Sequence, residues 1–163
     1  MALLFYFFGD RFSPEVKHRN FLYYLQRDTQ RSSLSPNTYA IVGLDVGEPE
    51  RAYMAFRSSA YRDLRPSTDH GGIHAACLGG TWQAAVHGFA GARLARDMPS
   101  FTPRLPEAWN RMAFNLTWRG SRFRVAFTRD RFTARLLKGR PLSICVDGQV
   151  VELGRREVTV ETP

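Results

Sequence analysis

The stretch MPSFTPRLPEAW, residues 98–109, constrains this chain more than any other. Pro99, Pro103 and Pro106 each fix φ, remove an amide donor and bias the preceding residue away from helix. The hydrophobic period also changes across it, from three or four residues before to two after. The chain therefore reads as an α+β molecule in parts: helices over 1–91, an extended linker over 92–110, and strands over 111–163.

In the first part, Ala2–Phe8 is apolar all round, as a helix buried in a larger helical body would be. It resembles the second half of a core helix, which leads us to expect a missing segment before Met1. Ser13-Pro14 and Ser35-Pro36 each place a capping hydroxyl before a proline, a helix-start signal. The expected helices run over about 14–25, with Phe21, Leu22 and Leu25 inward, and over about 35–46. Pro49 opens another to Leu64, with Ala52, Phe56, Ser59, Ala60 and Leu64 inward.

The stretch HGGIHAACLGGTWQAAVHGFAG, residues 70–91, adds a further helix. Ile73, Leu78 and Trp82 recur at four to five residues and Val86 and Phe89 follow, so these are expected to face the core. Glycine inside a helix costs roughly 1 kcal/mol against alanine, so Gly79-Gly80 needs a packing reason. The whole reads as antiparallel helix hairpins joined by short loops.

After the prolines, Met112, Phe114, Leu116 and Trp118 alternate with smaller or polar residues, and Phe123, Val125 and Phe127 alternate with Arg122, Arg124 and Ala126. Gly120-Ser121 is the expected turn between them. Further strands are read at 132–137, 142–146, 150–153 and 157–161, with Asp147-Gly148-Gln149 as a hairpin signal. Short alternating strands with tight turns predict an antiparallel β-sandwich.

Composition excludes more than it assigns. The net charge is +8, carried almost wholly by arginine, since Lys17 and Lys138 are the only lysines. The arginines are dispersed rather than clustered, so a solvated surface is expected and a nucleic-acid partner is not. The apolar N-terminus is too short to span a bilayer and lacks the flanks of a signal peptide, so no membrane partner is expected. Cys77 and Cys145 fit no metal or redox spacing; both read as small buried hydrophobes of a reducing, cytoplasmic protein.

Two features could carry chemistry. In RSSLSPN, Ser32, Ser33 and Ser35 precede the helix that Pro36 marks, where free N–H groups and the positive dipole end favour an anion. The same residues would also serve as an ordinary serine-rich cap. His74 stands at the start of the next apolar helix, either as a second donor to that anion or as a core histidine bonded to a carbonyl. His70, His74 and Cys77 do not make a metal site: Gly71-Gly72 breaks the helical spacing and no upstream ligand completes the set. Asn115-Leu116-Thr117 matches a glycosylation acceptor without other signs of secretion. The aspartates Asp10, Asp28, Asp45, Asp63 and Asp69 lie near helix ends, where carboxylates are ordinary, and no acidic pair stands out for acid–base work.

RFSPEVKHRNFLYYLQRDTQRSSLSPNTYAI, then GGIHAACLGGTWQAAVHGFAG, then FTPRLPEAWNRMAFNLTWRGSRFRV together resemble the C-terminal third of glycoside hydrolase family 65. That family holds maltose, trehalose and kojibiose phosphorylases and some trehalases. The resemblance implies the last hairpins of an (α/α)6 barrel followed by a small β-sandwich. It implies an inverting phosphorolysis of a disaccharide, with inorganic phosphate as co-substrate and no cofactor or metal. Carried over residue by residue, it assigns phosphate binding to Ser32, Ser33 and His74. The family's acidic residue before the serine pair is Arg31 here. Its general-acid glutamate and sugar-binding Lys-Gln pair belong upstream of Met1, so the resemblance implies no catalytic residue within this chain and no activity for it alone. Two other readings stay open: a non-catalytic carbohydrate- or protein-interaction module on the same fold, and part of a family trehalase or other hydrolase. Uncovered barrel helices would also promote self-association.

Overall fold

Proline punctuation sets the helices. In a computed structural model the structure describes residues 2–28, 32–64, 72–94 and 97–162; Arg31, His70, Asp69 and Gly71 lie outside them. Helix α1 covers Ala2–Phe8 and passes through a short 3-10 turn, Gly9–Arg11. Helix α2 covers Pro14–Leu25, capped by the Ser13 hydroxyl, which accepts the Val16 N–H at 3.4 Å. Helices α3, Ser35–Asp45, and α4, Pro49–Ala60, likewise carry proline in the first turn. Helix α5 covers Ala75–Gln83 and runs on into a π-helical turn, Ala84–Phe89. No helix among the described residues is long and apolar enough to cross a membrane. The chain divides into two compact units, residues 1–88 and 89–163.

Helix α3 is the axis of the first unit. Its sequence, SPNTYAIVGLD, carries no charge before Asp45, and every residue from Pro36 to Leu44 is buried. Phe5 of α1 and Phe21 of α2 pack with Tyr39 and Val42, and Phe21 meets Tyr39 edge-on at 5.7 Å between ring centres. A methyl group at Gly43 would stand 3.1 Å from Cβ of Ala52 and 3.2 Å from Phe21. Small residues thus set how closely α4 approaches α3.

Two expectations fail in this unit. Helix α4 stops at Ala60 rather than Leu64, because the chain tightens into turns closed by Arg62 N–H to Ser59 O and Leu64 N–H to Tyr61 O. Leu64 is consequently exposed. Helix α5 presents a different face from the one its large apolar residues predict. Ile73, Leu78 and Trp82 are 79%, 46% and 51% exposed, whereas Cys77, Gly80 and Ala84 are buried; Val86 and Phe89 of the π-helical turn are buried as expected.

The cause is a buried polar cluster. The Asn37 amide of α3 donates to the Cys77 carbonyl at 3.2 Å and its oxygen accepts from the Ser59 hydroxyl of α4. Ser59 Oγ lies 2.6 Å from Thr81 Oγ1, which also donates to the Cys77 carbonyl at 2.9 Å. A buried amide left unpaired costs about 1–3 kcal/mol, so α5 turns its small face inward to bring these partners within reach. Gly80 sits directly on the amide: a methyl group there would lie 2.7 Å from Cγ and 3.1 Å from Cβ of Asn37.

The second unit holds two sheets. Strand β1 is Ser100–Phe101, β2 Met112–Trp118, β3 Ser121–Phe127, β4 Arg131–Lys138, β5 Leu142–Val146, β6 Gln149–Leu153 and β7 Val158–Glu161. One sheet has the order β1-β5-β6, the other β2-β3-β4-β7. The α+β class is as expected, although β1 lies within the stretch read as linker and pairs with β5 in parallel. The first hairpin turn falls one residue earlier than the Gly120-Ser121 reading, whereas the second falls within the Asp147-Gly148-Gln149 signal as expected. Arg119-Gly120 and Asp147-Gly148 are the positive-φ pairs, and Ser121 and Gln149 already face strand partners. Two residues with φ > 0 match the right-handed twist of the flanking strands. Phe101 meets Phe132 and Phe123 across the two sheets, at 5.3 and 6.4 Å between ring centres. Cys145 is half-buried, contrary to the reading of both cysteines as buried, because Ile144 and Val146 take the inward positions of β5.

The two glycines of α5 should respond oppositely to a methyl group. Gly80→Ala is expected to destabilise the helical unit by about 1–3 kcal/mol through overpacking. Gly79→Ala meets nothing within 4 Å and should be neutral or gain up to about 1 kcal/mol from helix propensity. Chemical denaturation of both variants checks this; equal effects would contradict it.

Candidate functional site

The serine segment precedes the buried helix α3 without capping it. The N-cap position is Leu34, no side chain accepts from the first turn, and Ser35 is already helical. The expected Ser35 cap is therefore absent. Ser32 instead closes a local turn: its Oγ accepts the Leu34 N–H at 3.3 Å and its carbonyl accepts the Ser35 N–H at 3.4 Å. Because Ser32 Oγ accepts in that turn, its own proton is left to donate outward. Ser32 is exposed and Ser33 half-buried.

A cleft of about 330 Å³ lies at this point. Its walls are Ala2 and Leu3 of α1, Asp28, Ser32 and Leu34, the first turns of α3, and Ala76, Gly80 and Gln83 of α5. The Asn37 cluster brings α3 and α5 to the same cleft. Of the three residues expected to bind an anion, Ser32 lines it, while Ser33 and His74 are not among its lining residues. A larger cleft of about 610 Å³, lined by Leu25, Pro36, Tyr39, Arg51, Met54, Ala55 and Ser58, contains none of them. Its one cation, Arg51, is paired with Glu48 at 3.0 Å. We favour the smaller cleft because polar groups converge there.

Asp28 puts a carboxylate on the cleft wall, which repels a second anion nearby. Tyr39 takes up part of that field. Burial raises the Tyr39 phenol to about 12, with the Asp28 charge and its hydrogen bond adding to the shift. The hydroxyl thus stays protonated and donates to Asp28.

His74 is the N-cap residue of α5. Its ring Nδ1 lies 2.6 Å from Oδ1 of Asp63, and its backbone N–H donates to Oδ2 of the same carboxylate at 2.9 Å. The two side chains are 21% and 18% exposed. The His74 ring hydrogen bond, then its backbone N–H, hold the Asp63 carboxyl below the usual aspartate range. That contribution is complete above the ordinary aspartate pKa and is lost as pH falls through the depressed one. The Nε2 atom of His74 has no hydrogen-bond partner among the described residues. Sequence reasoning missed Asp63, grouping it with aspartates at helix ends. It also missed Asn37, which bears no motif. No spacing rule links residues eleven apart.

The fold that positions these groups recurs in solved structures. A chain from the human microbiome, provisionally named a kojibiose phosphorylase, superposes with a TM-score of 0.89 at 24% identity, over 99% of this chain and 24% of its own. That likeness shows the fold. The family follows from the sequence: residues 1–83 match the glycosyl hydrolase family 65 central catalytic domain, and residues 92–153 match the family 65 C-terminal domain. The chain belongs to glycosyl hydrolase family 65. It is similar to a kojibiose phosphorylase of Caldanaerobacter subterraneus subsp. tengcongensis (38% identity over 94% of this chain and 20% of the relative). It is also similar to a maltose phosphorylase of Bacillus subtilis (37% over 93%, 20% of the relative) and an alpha,alpha-trehalose phosphorylase of Thermoanaerobacter brockii (34% over 97%, 21% of the relative). The chain spans about a fifth of the length of these relatives.

The Tyr39–Asp28 pair has a spectroscopic consequence. The Tyr39 absorbance change, isolated by comparison with Tyr39→Phe, should have its midpoint at about 12 and move toward the ordinary tyrosine value of about 10 in Asp28→Asn. Stability from this pair should be complete below pH about 10 and fall as pH rises through the folded-state value. A Tyr39 midpoint near 10 in the native chain would contradict the assignment.

Proposed function

We propose that this chain is the phosphate-binding side of an inverting disaccharide phosphorylase acting on an α-glucoside. On this reading α1–α5 are the closing hairpins of an (α/α)6 barrel, and the two sheets form the β-sandwich that follows it. The carrying observation is that both family 65 models match in consecutive order. The cleft at the start of α3 adds to it, since Ser32 and the first turns of α5 share that cleft. The relatives quoted above are all named phosphorylases, which favours phosphorolysis over hydrolysis or a purely binding role.

Ser32 and Ser33 supply hydroxyl donors, and the first turn of α3 supplies a positive dipole end. His74 supplies a ring donor when protonated. Inorganic phosphate is then a co-substrate, and no cofactor or metal enters the reaction. The glutamate that protonates the glycosidic oxygen belongs to a part of the family fold this chain does not span, so the chain alone has no turnover. Phosphate must sit on the serine side of the cleft, away from Asp28. Leu3, Phe7, Ile73 and Trp82 are exposed, and these are the surfaces the remaining barrel would cover or through which copies would associate. The free thiols Cys77 and Cys145 accord with a reducing cytoplasm.

Titrating the purified chain with inorganic phosphate tests the site. Saturable binding is expected, weakened about tenfold or more in His74→Gln and in the Ser32→Ala, Ser33→Ala double variant, as loss of a hydrogen bond to a charged group requires. No phosphate should be released from glucose 1-phosphate and glucose. Binding indifferent to all three side chains would overturn the assignment, and turnover would overturn the inactivity.

A further inference from the structure

The Asp63–His74 contact has the geometry of a device rather than of a cap. Resting on the reading of His74 as a phosphate ligand, we propose that Asp63 is its positioning residue. It locks the ring with Nδ1 protonated and leaves Nε2 as the atom that meets the anion. One carboxylate grips one residue at two points, the ring at 2.6 Å and the backbone N–H at 2.9 Å. Two bonds to a planar group fix both the backbone of His74 and the orientation of its ring. An ionised carboxylate is an acceptor only, so Nδ1 must carry the proton. In a ring held this way, the hydrogen bond at one nitrogen decides the state of the other. Nε2 is the remaining polar atom and has no partner among the described residues. It accepts from a protonated phosphate oxygen when the ring is neutral and donates when the ring is charged.

An ordinary helix cap would need only the backbone bond, which any acceptor could make. The ring bond goes beyond that. Asp63 stands in the turns after α4 and His74 at the start of α5, so the clamp ties the histidine to the same helix pair that Ser59 and Thr81 join. Asparagine cannot replace the carboxylate. Its single oxygen can accept one of the two bonds, and its NH₂ would face either the backbone N–H or Nδ1. In the latter case Nδ1 must become an acceptor and the ring must change tautomer.

The test is a long-range proton–nitrogen correlation spectrum of the histidine rings in the full 163-residue chain, with inorganic phosphate as the ligand. The His74 signals are assigned by their loss in His74→Gln. In the native chain Nδ1 of His74 is expected to be protonated. In Asp63→Asn the signals should move toward the Nε2–H form that an unconstrained ring favours. Phosphate affinity should fall on the order of tenfold, as loss of an orienting partner does at metal-bound histidines. Asp63→Glu should recover both. An unprotonated Nδ1 in the native chain overturns the proposal without any variant, and so do ring signals unchanged by Asp63→Asn. If phosphate binding ignores His74→Gln, the phosphate assignment falls, and the ring signals still decide whether Asp63 positions the histidine.

Discussion

One buried amide organises the helical unit. Asn37 stands in the first turn of an otherwise apolar helix, and its side chain is satisfied only if α4 brings Ser59 and α5 brings the Cys77 carbonyl. The small residues around it follow from that requirement: Gly80 leaves room for the amide, and Gly43 against Ala52 lets α4 close on α3. The start of α5 is thereby carried to the start of α3, and a cleft with polar walls forms where two helices begin. The cluster exposes large residues to keep a polar group paired, since Ile73, Leu78 and Trp82 turn outward.

This explains where the sequence could and could not be read. Helix starts were legible because Pro14, Pro36 and Pro49 fix the first turn through their own rings, a strictly local effect. The strands were legible because alternation is local too, and the interior residues of β3 fall where the period of two puts them. The inward face of α5 was not legible, since its large apolar residues gave the stronger periodic signal and the deciding partners lie 18 and 40 residues away. The turn between β2 and β3 slipped by one for another reason. Gly120 marks a turn, but Arg119 rather than Ser121 shares it by also adopting positive φ. Strand β1 was hidden among prolines, which remove donors yet leave an extended segment able to pair with β5.

The candidate site followed the same rule. Ser32, Ser33 and His74 were legible as helix-start residues and through family resemblance, because both depend on sequence neighbours. Their surroundings were not. Asp63 reaches His74 from eleven residues away, and Asp28 reaches Tyr39 from outside α3; each is a carboxylate of unremarkable context in the sequence. These two carboxylates have opposite consequences. Asp63 engages the histidine at Nδ1 and its backbone N–H, whereas Asp28 puts a negative charge on the cleft wall that would repel an anion. Tyr39, packed in the core and hydrogen-bonded to Asp28, keeps the second charge from being bare.

The central claim is that the starts of α3 and α5 are two sides of one phosphate site. The most direct test is a crystal structure of the chain grown with inorganic phosphate. The account predicts phosphate within hydrogen-bond reach, about 2.6–3.2 Å, of both the Ser32 hydroxyl and Nε2 of His74, with Asp63 still on Nδ1. Phosphate bound away from Ser32, or His74 turned so that Nε2 meets Asp63, would contradict it.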